Sequence, residues 1–445
     1  MSIEDTLLEY YKQTAKENDI PADLYHKYNV KKGLRNENKT GVLVGLTRIC
    51  DVVGYKMIDD KKVDCEGELY YRGISIKDII TNCSFKPGIF EETAFLLLFG
   101  KLPTLKEYNN FKRFLQANYE LPDLYVTTNI MHLPAVNIMN KIQRALLMLY
   151  DFDELAEDCS VNNTLIQGLN LLAKMPAIVL YSYYSKLQNN KNLPLPKPNN
   201  SLSIAENILM MLKGINNYSE DEVILLDIIM TIHADHGGGN NSTFTNIVVS
   251  STDSDMYSSL SAAVGSLKGP KHGGANEKVN LMMLDAINKL GLTPNEEDLL
   301  TYIKNLDHKK AFDGSGLIYG MGHAIYTISD PRAKILSKYC EILADKKGIL
   351  EKLNFYRLFE DLASKYLYEE KKTNFGANLD FYSGLAYELL DIPQDLFLPI
   401  FAISRTSGWL AHNLENKLYC NKIIRPANQY IGEYISYKPL SERNK

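Results

Sequence analysis

Apolar residues recur along most of this chain at intervals of three and four, the repeat of a helix with one buried side. Leu7, Leu8 and Tyr11 begin such a segment, and the stretches near 88–99, 108–117, 162–187, 202–213 and 219–236 continue the pattern. The helix predicted from 331 to about 346 has the clearest ends: Asp330 can cap free N–H groups, Pro331 fits the first turn, and Gly348 follows the last. Ile335, Tyr339 and Ile342, flanked by Leu336, Cys340 and Leu343, are expected to form its buried side. Strand signals are confined to 42–54 and 61–73, and Glu66-Gly67 in the second reads as the turn of a hairpin. The pattern predicts a mostly α protein with small sheets at its edge.

The polar, proline-rich stretch KNLPLPKPNN, residues 191–200, interrupts the helices as a domain linker or as a surface loop between two of them. At 445 residues, 45% of them hydrophobic, the chain can bury a large core and divide into two or three domains. Its 49 basic and 54 acidic residues are mixed throughout, so no basic stripe points to nucleic acid or an anionic membrane. An anionic substrate therefore has to be held by a few local arginines. The six cysteines are dispersed without CxxC pairs, as for reduced thiols inside a cell. No apolar run approaches the roughly 20 residues of a membrane span. The N-terminal MSIEDTLLEYYKQ resembles neither a secretion signal nor a transit peptide, and a cytoplasmic protein is expected.

Three polar segments break the helical pattern. In TIHADHGGGNNSTFTN (231–246), His233 and His236 can share a helical face before the glycines let the backbone turn closely around something small. A helix stop followed by a polar turn accounts for the same residues. SLKGPKHGGANE (266–277) holds His272 in a tight loop, where an imidazole of fixed tautomer can exchange protons or donate to an oxyanion, or simply pack. GSGLIYGMGHAIYTISDPR (314–332) places His323 after glycines and Arg332 in the first turn of the capped helix. Arg332 and the helix N–H groups can meet one anion together, unless Arg332 makes a structural ion pair. The glycine spacing matches neither a Walker A loop nor a Rossmann turn, and HADH is not HExxH, so dinucleotide and metal sites are disfavoured. On its own residues, Asp380 reads as an N-cap before YSGLAYELL, and Arg405 and Arg425 as surface or ion-pair arginines.

Taken in order, GLTRICDVVG, YRGISIKDI, LLLFGKLPT, the three segments above, NFGANLDFYSG, SRTSGW and IIRPANQYIG resemble the signature regions of citrate synthases over roughly residues 40–435. The likeness is to the bacterial and archaeal branch that overlaps with 2-methylcitrate synthases. It implies a mostly α, two-domain fold: a large helical domain from 1–274 and 386–445, a small helical domain inserted at 275–385, and short N-terminal β-strands. The implied reaction condenses acetyl-CoA with oxaloacetate and hydrolyses citryl-CoA to citrate and CoA. Acetyl-CoA is a substrate, and no cofactor or metal is implied.

The same resemblance assigns His272, His323 and Asp380 to catalysis, and His236, Arg332, Arg405 and Arg425 to substrate binding, with Arg425 contributed across a homodimer interface. His272 would stabilise the acetyl-CoA enol, His323 face the oxaloacetate keto group, and Asp380 remove the methyl proton. Thr327 stands where mitochondrial-type relatives carry a basic residue for the nucleotide phosphates, which leaves Lys271, Lys334 and Lys338 as candidates. Two alternatives are a 2-methylcitrate synthase using propionyl-CoA and a non-catalytic regulatory dimer that binds CoA or a dicarboxylate.

Overall fold

The computed structural model describes residues 2–38, 40–59, 61–188, 194–420 and 422–443. The chain forms two compact units, one from residues 1–45 and 424–445, the other from 46–423.

The first unit carries the helix Ile3–Glu17, started by a reciprocal cap in which Ser2 Oγ accepts from the Asp5 N–H and Asp5 accepts from the Ser2 N–H, each at 3.0 Å. The predicted amphipathic helix is present, but Leu7, Leu8 and Tyr11 are 59%, 55% and 70% exposed, so its apolar residues are uncovered.

In the second unit, β1 (Cys50–Ile58), β2 (Lys61–Tyr71) and β3 (Ile74–Ser75) form an antiparallel sheet in chain order. The register runs from Cys50 opposite Tyr71 to Ile58 opposite Lys61. Two expectations are corrected. The first strand begins at Cys50 rather than 42, and Leu43, Val44 and Leu46 stay exposed outside it. Glu66-Gly67 is no turn, because β2 runs straight through it.

Gly67 is needed for close approach instead. A Cβ there would overlap the Ser329 carbonyl and lie 2.8 Å from the Tyr326 ring, and one on Gly54 would lie 2.5 Å from the Tyr326 Cα. Both strands therefore lie directly on the loop before Pro331. Gly67→Ala is expected to destabilise the protein by about 1–3 kcal/mol, the usual cost of overpacking. Chemical denaturation measures this, and an unchanged midpoint would remove the docking role.

Pro331–Lys346 forms as predicted: Asp330 accepts from the Arg332 N–H at 3.0 Å, and Gly348 adopts φ +69° beyond the end. Of the expected buried side, Ile335, Leu336, Cys340 and Leu343 are covered, together with Ala333 and Ala344, whereas Ile342 is 53% exposed. The helix Phe397–Tyr419 is buried on every side from Phe397 to Leu414 apart from a few partly covered positions, and Trp409 at its centre is fully covered. Against it pack Val161–Gln188, Ile89–Phe99, Asn241–Ser250 and Glu220–His233.

Val161–Gln188 is long and apolar enough by length and composition to cross a membrane, although no uninterrupted apolar run marks it. In this fold 78% of its most apolar window is buried, as a core helix requires. Of the 191–200 break, residues 191–193 lie outside the described residues and 194–200 form a loop that leads into the helix Ile204–Lys213, inside the second unit.

Candidate active site

Glu220–His233 starts at a capping box between Ser219 and Glu222 and ends at the first glycine-rich segment. Gly237 takes φ +82°, a turn that side-chain-bearing residues adopt at a cost. Asp235, fully buried, pins this turn by accepting from the Gly237 N–H and pairing with His412 Nε2, each at 3.0 Å. His236 is thereby directed inward, 7% exposed, with its ring 5.2 Å from that of His323 and its Nε2 without a partner. His233 Nδ1 donates to the Ile229 carbonyl at 2.7 Å, and its own carbonyl accepts from Arg405 Nε at 2.6 Å. Burial lowers the His233 pKa to about 3, so the ring is neutral and orients the turn.

His272 sits in a turn closed by its N–H on the Gly269 carbonyl at 2.8 Å. Its Nε2 is 3.3 Å from Ser242 Oγ, which also accepts from Trp409 Nε1 at 3.1 Å and lies 2.8 Å from Asn240 Oδ1. The single Ser242 proton can serve Asn240 or His272. When it serves His272, the ring hydrogen resides on Nδ1. Burial, with the Arg405 charge beside it, lowers the His272 pKa to about 4 and keeps the ring neutral.

The third segment is fastened to the strand-like stretch before Asp380. Gly322 N–H donates to Gly376, Asn378 N–H to Gly320, and Asn378 Nδ2 to Gly322, each at 2.8 Å. His323 Nδ1 accepts from the Ile325 and Tyr326 N–H groups at 3.1 and 3.2 Å, which puts the ring hydrogen on Nε2. The cap of Leu379–Leu389 is Asn378, accepting from the Asp380 N–H at 2.9 Å. Asp380 is therefore not the N-cap but a residue of the first turn, with its carboxylate facing the cavity. Burial raises its pKa to about 6, against the opposing pull of Arg332 and with the support of Asp330.

Arg332 and Arg405 are 4% and 1% exposed, and they are held differently. Asp330 takes Arg332 Nε and Nη2 at 3.0 and 2.7 Å and also accepts the Arg332 and Leu379 N–H groups. The helix terminus expected to greet an external anion is thus already occupied by its own cap. Arg405 spends Nε on His233, while its buried Nη1 has no partner.

These elements enclose a cavity of about 210 Å³ lined by His233, His236, His272, His323, Arg332, Asp380 and Arg405. Tyr387, Phe397, Leu398 and Phe401 form an apolar wall that the sequence reading missed, because it is written in the ordinary helical repeat. The seven-residue step from Asp380 to Tyr387 was the available signal. Arg425 is exposed in the first unit and is not among the lining residues. Among the described residues, no group of three His, Cys, Asp or Glu is placed to hold a metal.

A family model described as "Citrate synthase, C-terminal domain" matches residues 36–427. The chain belongs to the citrate synthase family. The citrate synthase of Deinococcus radiodurans is 36% identical over 82% of this chain and 90% of that protein, and the 2-methylcitrate synthase 1 of Corynebacterium glutamicum is 32% identical over 84% and 92%. Among solved structures, the Thermoplasma acidophilum citrate synthase, in a ternary complex with carboxymethyl coenzyme A and oxaloacetate, superposes with a TM-score of 0.75 at 27% identity, covering 93% of this chain and 99% of that one. The mostly helical build with a small N-terminal sheet is the citrate synthase fold, and the reaction is the condensation common to citrate and 2-methylcitrate synthases.

In this citrate synthase family member, the Thr327 hydroxyl donates to the Gly54 carbonyl and fastens the loop to β1. Of the three lysines that could replace a basic residue there, Lys334 is paired with Glu66 at 2.8 Å, Lys338 lies over the Tyr339 ring, and Lys271 is exposed.

Proposed function

We propose that this enzyme condenses acetyl-CoA with oxaloacetate and hydrolyses citryl-CoA to citrate and CoA. The observation that carries the reading is one cavity holding a carboxylate raised to about 6, neutral imidazoles and a buried guanidinium with an unpaired Nη1. Asp380 takes a proton from the thioester methyl, and its raised pKa narrows the gap to the carbon acid. His272 donates from Nδ1 to the developing enolate oxygen, with Ser242 supplying its proton to Nε2. The methyl carbon then attacks the oxaloacetate keto carbon, and His323 Nε2–H donates to the alkoxide that forms. Water attacks the thioester carbonyl, and CoA leaves as the thiol.

His236, Arg332 and Arg405 bind oxaloacetate, the arginines through its carboxylates. Arg425 joins them from the partner in a homodimer, a reading supported by the uncovered apolar residues on Ile3–Glu17. The segment 275–385 acts as a small domain that closes over the substrates and excludes water. Six unpaired cysteines support a cytoplasmic setting.

The Corynebacterium relative named a 2-methylcitrate synthase supports a second reading with propionyl-CoA. One methylene changes recognition by only about 1–3 kcal/mol, so the packing of Phe397, Leu398 and Phe401 decides the preference. Thiol release with each acyl-CoA, with and without oxaloacetate, tests both. Oxaloacetate-dependent release with the higher kcat/KM for acetyl-CoA is expected. A higher value for propionyl-CoA reverses the assignment, and no release from folded dimer indicates a regulatory binding protein.

A further inference from the structure

Tyr387 is 1% exposed and lines the cavity, yet its hydroxyl has no hydrogen-bond partner. A buried, unmatched O–H is costly, so such groups persist where something completes them. The ring stacks on Phe397, with centroids 4.8 Å apart and planes 22° from parallel.

Seven residues separate Asp380 from Tyr387 on Leu379–Leu389, which places them on one face about 10 Å apart along the axis. Helical side chains lean toward the N-terminus, so the longer Tyr387 side chain reaches back toward the turn that carries Asp380. The Asp380 charge is felt at the phenol, which burial also keeps protonated and able to donate. Among the described residues, no donor reaches the Asp380 carboxylate oxygens. A buried donor without an acceptor and a buried carboxylate thus line one cavity from one helix.

We propose that Tyr387 is a positioning residue whose hydroxyl donates to the Asp380 carboxylate in the substrate-loaded site, fixing which oxygen faces the acyl methyl. The bond favours the ionised base and holds it in place, and it is broken or weakened when Asp380 takes the proton. This rests on the reading of Asp380 as the base. Asp330 and Arg332 act on the same carboxylate, and His272, His323, Glu277 and Arg405 face the same cavity, so the test compares variants in which all of these are retained.

The experiment is the pH dependence of kcat/KM for acetyl-CoA at saturating oxaloacetate. Tyr387→Phe keeps the ring and its stacking; it is expected to raise the midpoint of the acid limb by about one pH unit and lower kcat about three- to tenfold, the range of a typical single hydrogen bond. The KM for oxaloacetate is expected to stay unchanged. Replacing Tyr387 with 3-fluorotyrosine strengthens the donor and is expected to move the limb down, which carries the test alone if the phenylalanine variant does not fold. An acid limb that moves in neither variant overturns the proposal. Asp380→Asn, assayed alongside, separates the two readings: an active Asp380→Asn enzyme removes the base itself and this proposal with it, whereas an inactive one with unmoved Tyr387 variants removes only the role of Tyr387.

Discussion

Asp380→Asn is expected to lower kcat by about 10²–10⁴-fold, the contribution of a positioned general base, while oxaloacetate still binds. The amide keeps the size of the side chain and removes the proton acceptor. Folding is expected to survive, and the sign supports this. Burial raises the folded-state pKa to about 6, so the folded form holds the proton more tightly than the unfolded chain. Stability from this group is full below the unfolded value and falls as pH rises through about 6, so the neutral amide relieves a burden at pH 7–8. Stopped-flow or thiol-release rates, with calorimetry for oxaloacetate and a melting curve, give the three readouts. In the parent enzyme the same group predicts that kcat/KM falls as pH drops below about 6. A variant with near-parental turnover, or a profile flat down to pH 5, removes Asp380 from the base role.

Arg405→Ala is expected to act on binding instead, weakening oxaloacetate by about 30-fold to more than 10³-fold, the range for truncating one member of a desolvated charge pair. The guanidinium is 1% exposed and its Nη1 is unmatched, so a substrate carboxylate there meets a donor already stripped of water. Arg405→Lys keeps a positive charge but loses the fork that binds the His233 carbonyl through Nε, and an intermediate loss is expected. Titration calorimetry with oxaloacetate decides it. Parental affinity in a folded Arg405→Ala protein would falsify the assignment.

The helical repeat and the glycine punctuation made much of this legible in advance. His236, His272 and His323 stood out because each sits where a helix is interrupted by residues that only a turn or a close approach requires. Asp380 did not. An aspartate near a helix start looks like a cap, and only the structure shows that Asn378, two residues earlier, already fills that role. Arg332 was legible both as an anion ligand and as a structural ion-pair arginine, but not its partner Asp330, because Asp-Pro-Arg alone does not say which groups the cap oxygens reach. Gly67 was misread for a related reason. Sequence marks a residue that lacks a side chain, but whether the missing atom makes room for a turn or for the Ser329 carbonyl depends on a segment more than 250 positions away. The apolar wall of Tyr387, Phe397 and Phe401 carries the same period as the core, so periodicity could not separate cavity from packing.

The helix Phe397–Tyr419 also sets an order on how the molecule is made. It fills the middle of its unit, yet almost everything that surrounds it leaves the ribosome first. At roughly 5–20 residues per second the preceding 396 residues take on the order of 20–80 s to synthesise. Once Gln188 is made, the flanks of Val161–Gln188 and Ile89–Phe99 face an unfilled slot until Phe397 follows, on the order of 10–40 s later at that rate. A nascent chain halted before residue 397 carries that apolar slot with nothing to close it, and with it His233 and Asp235 deprived of Arg405 and His412.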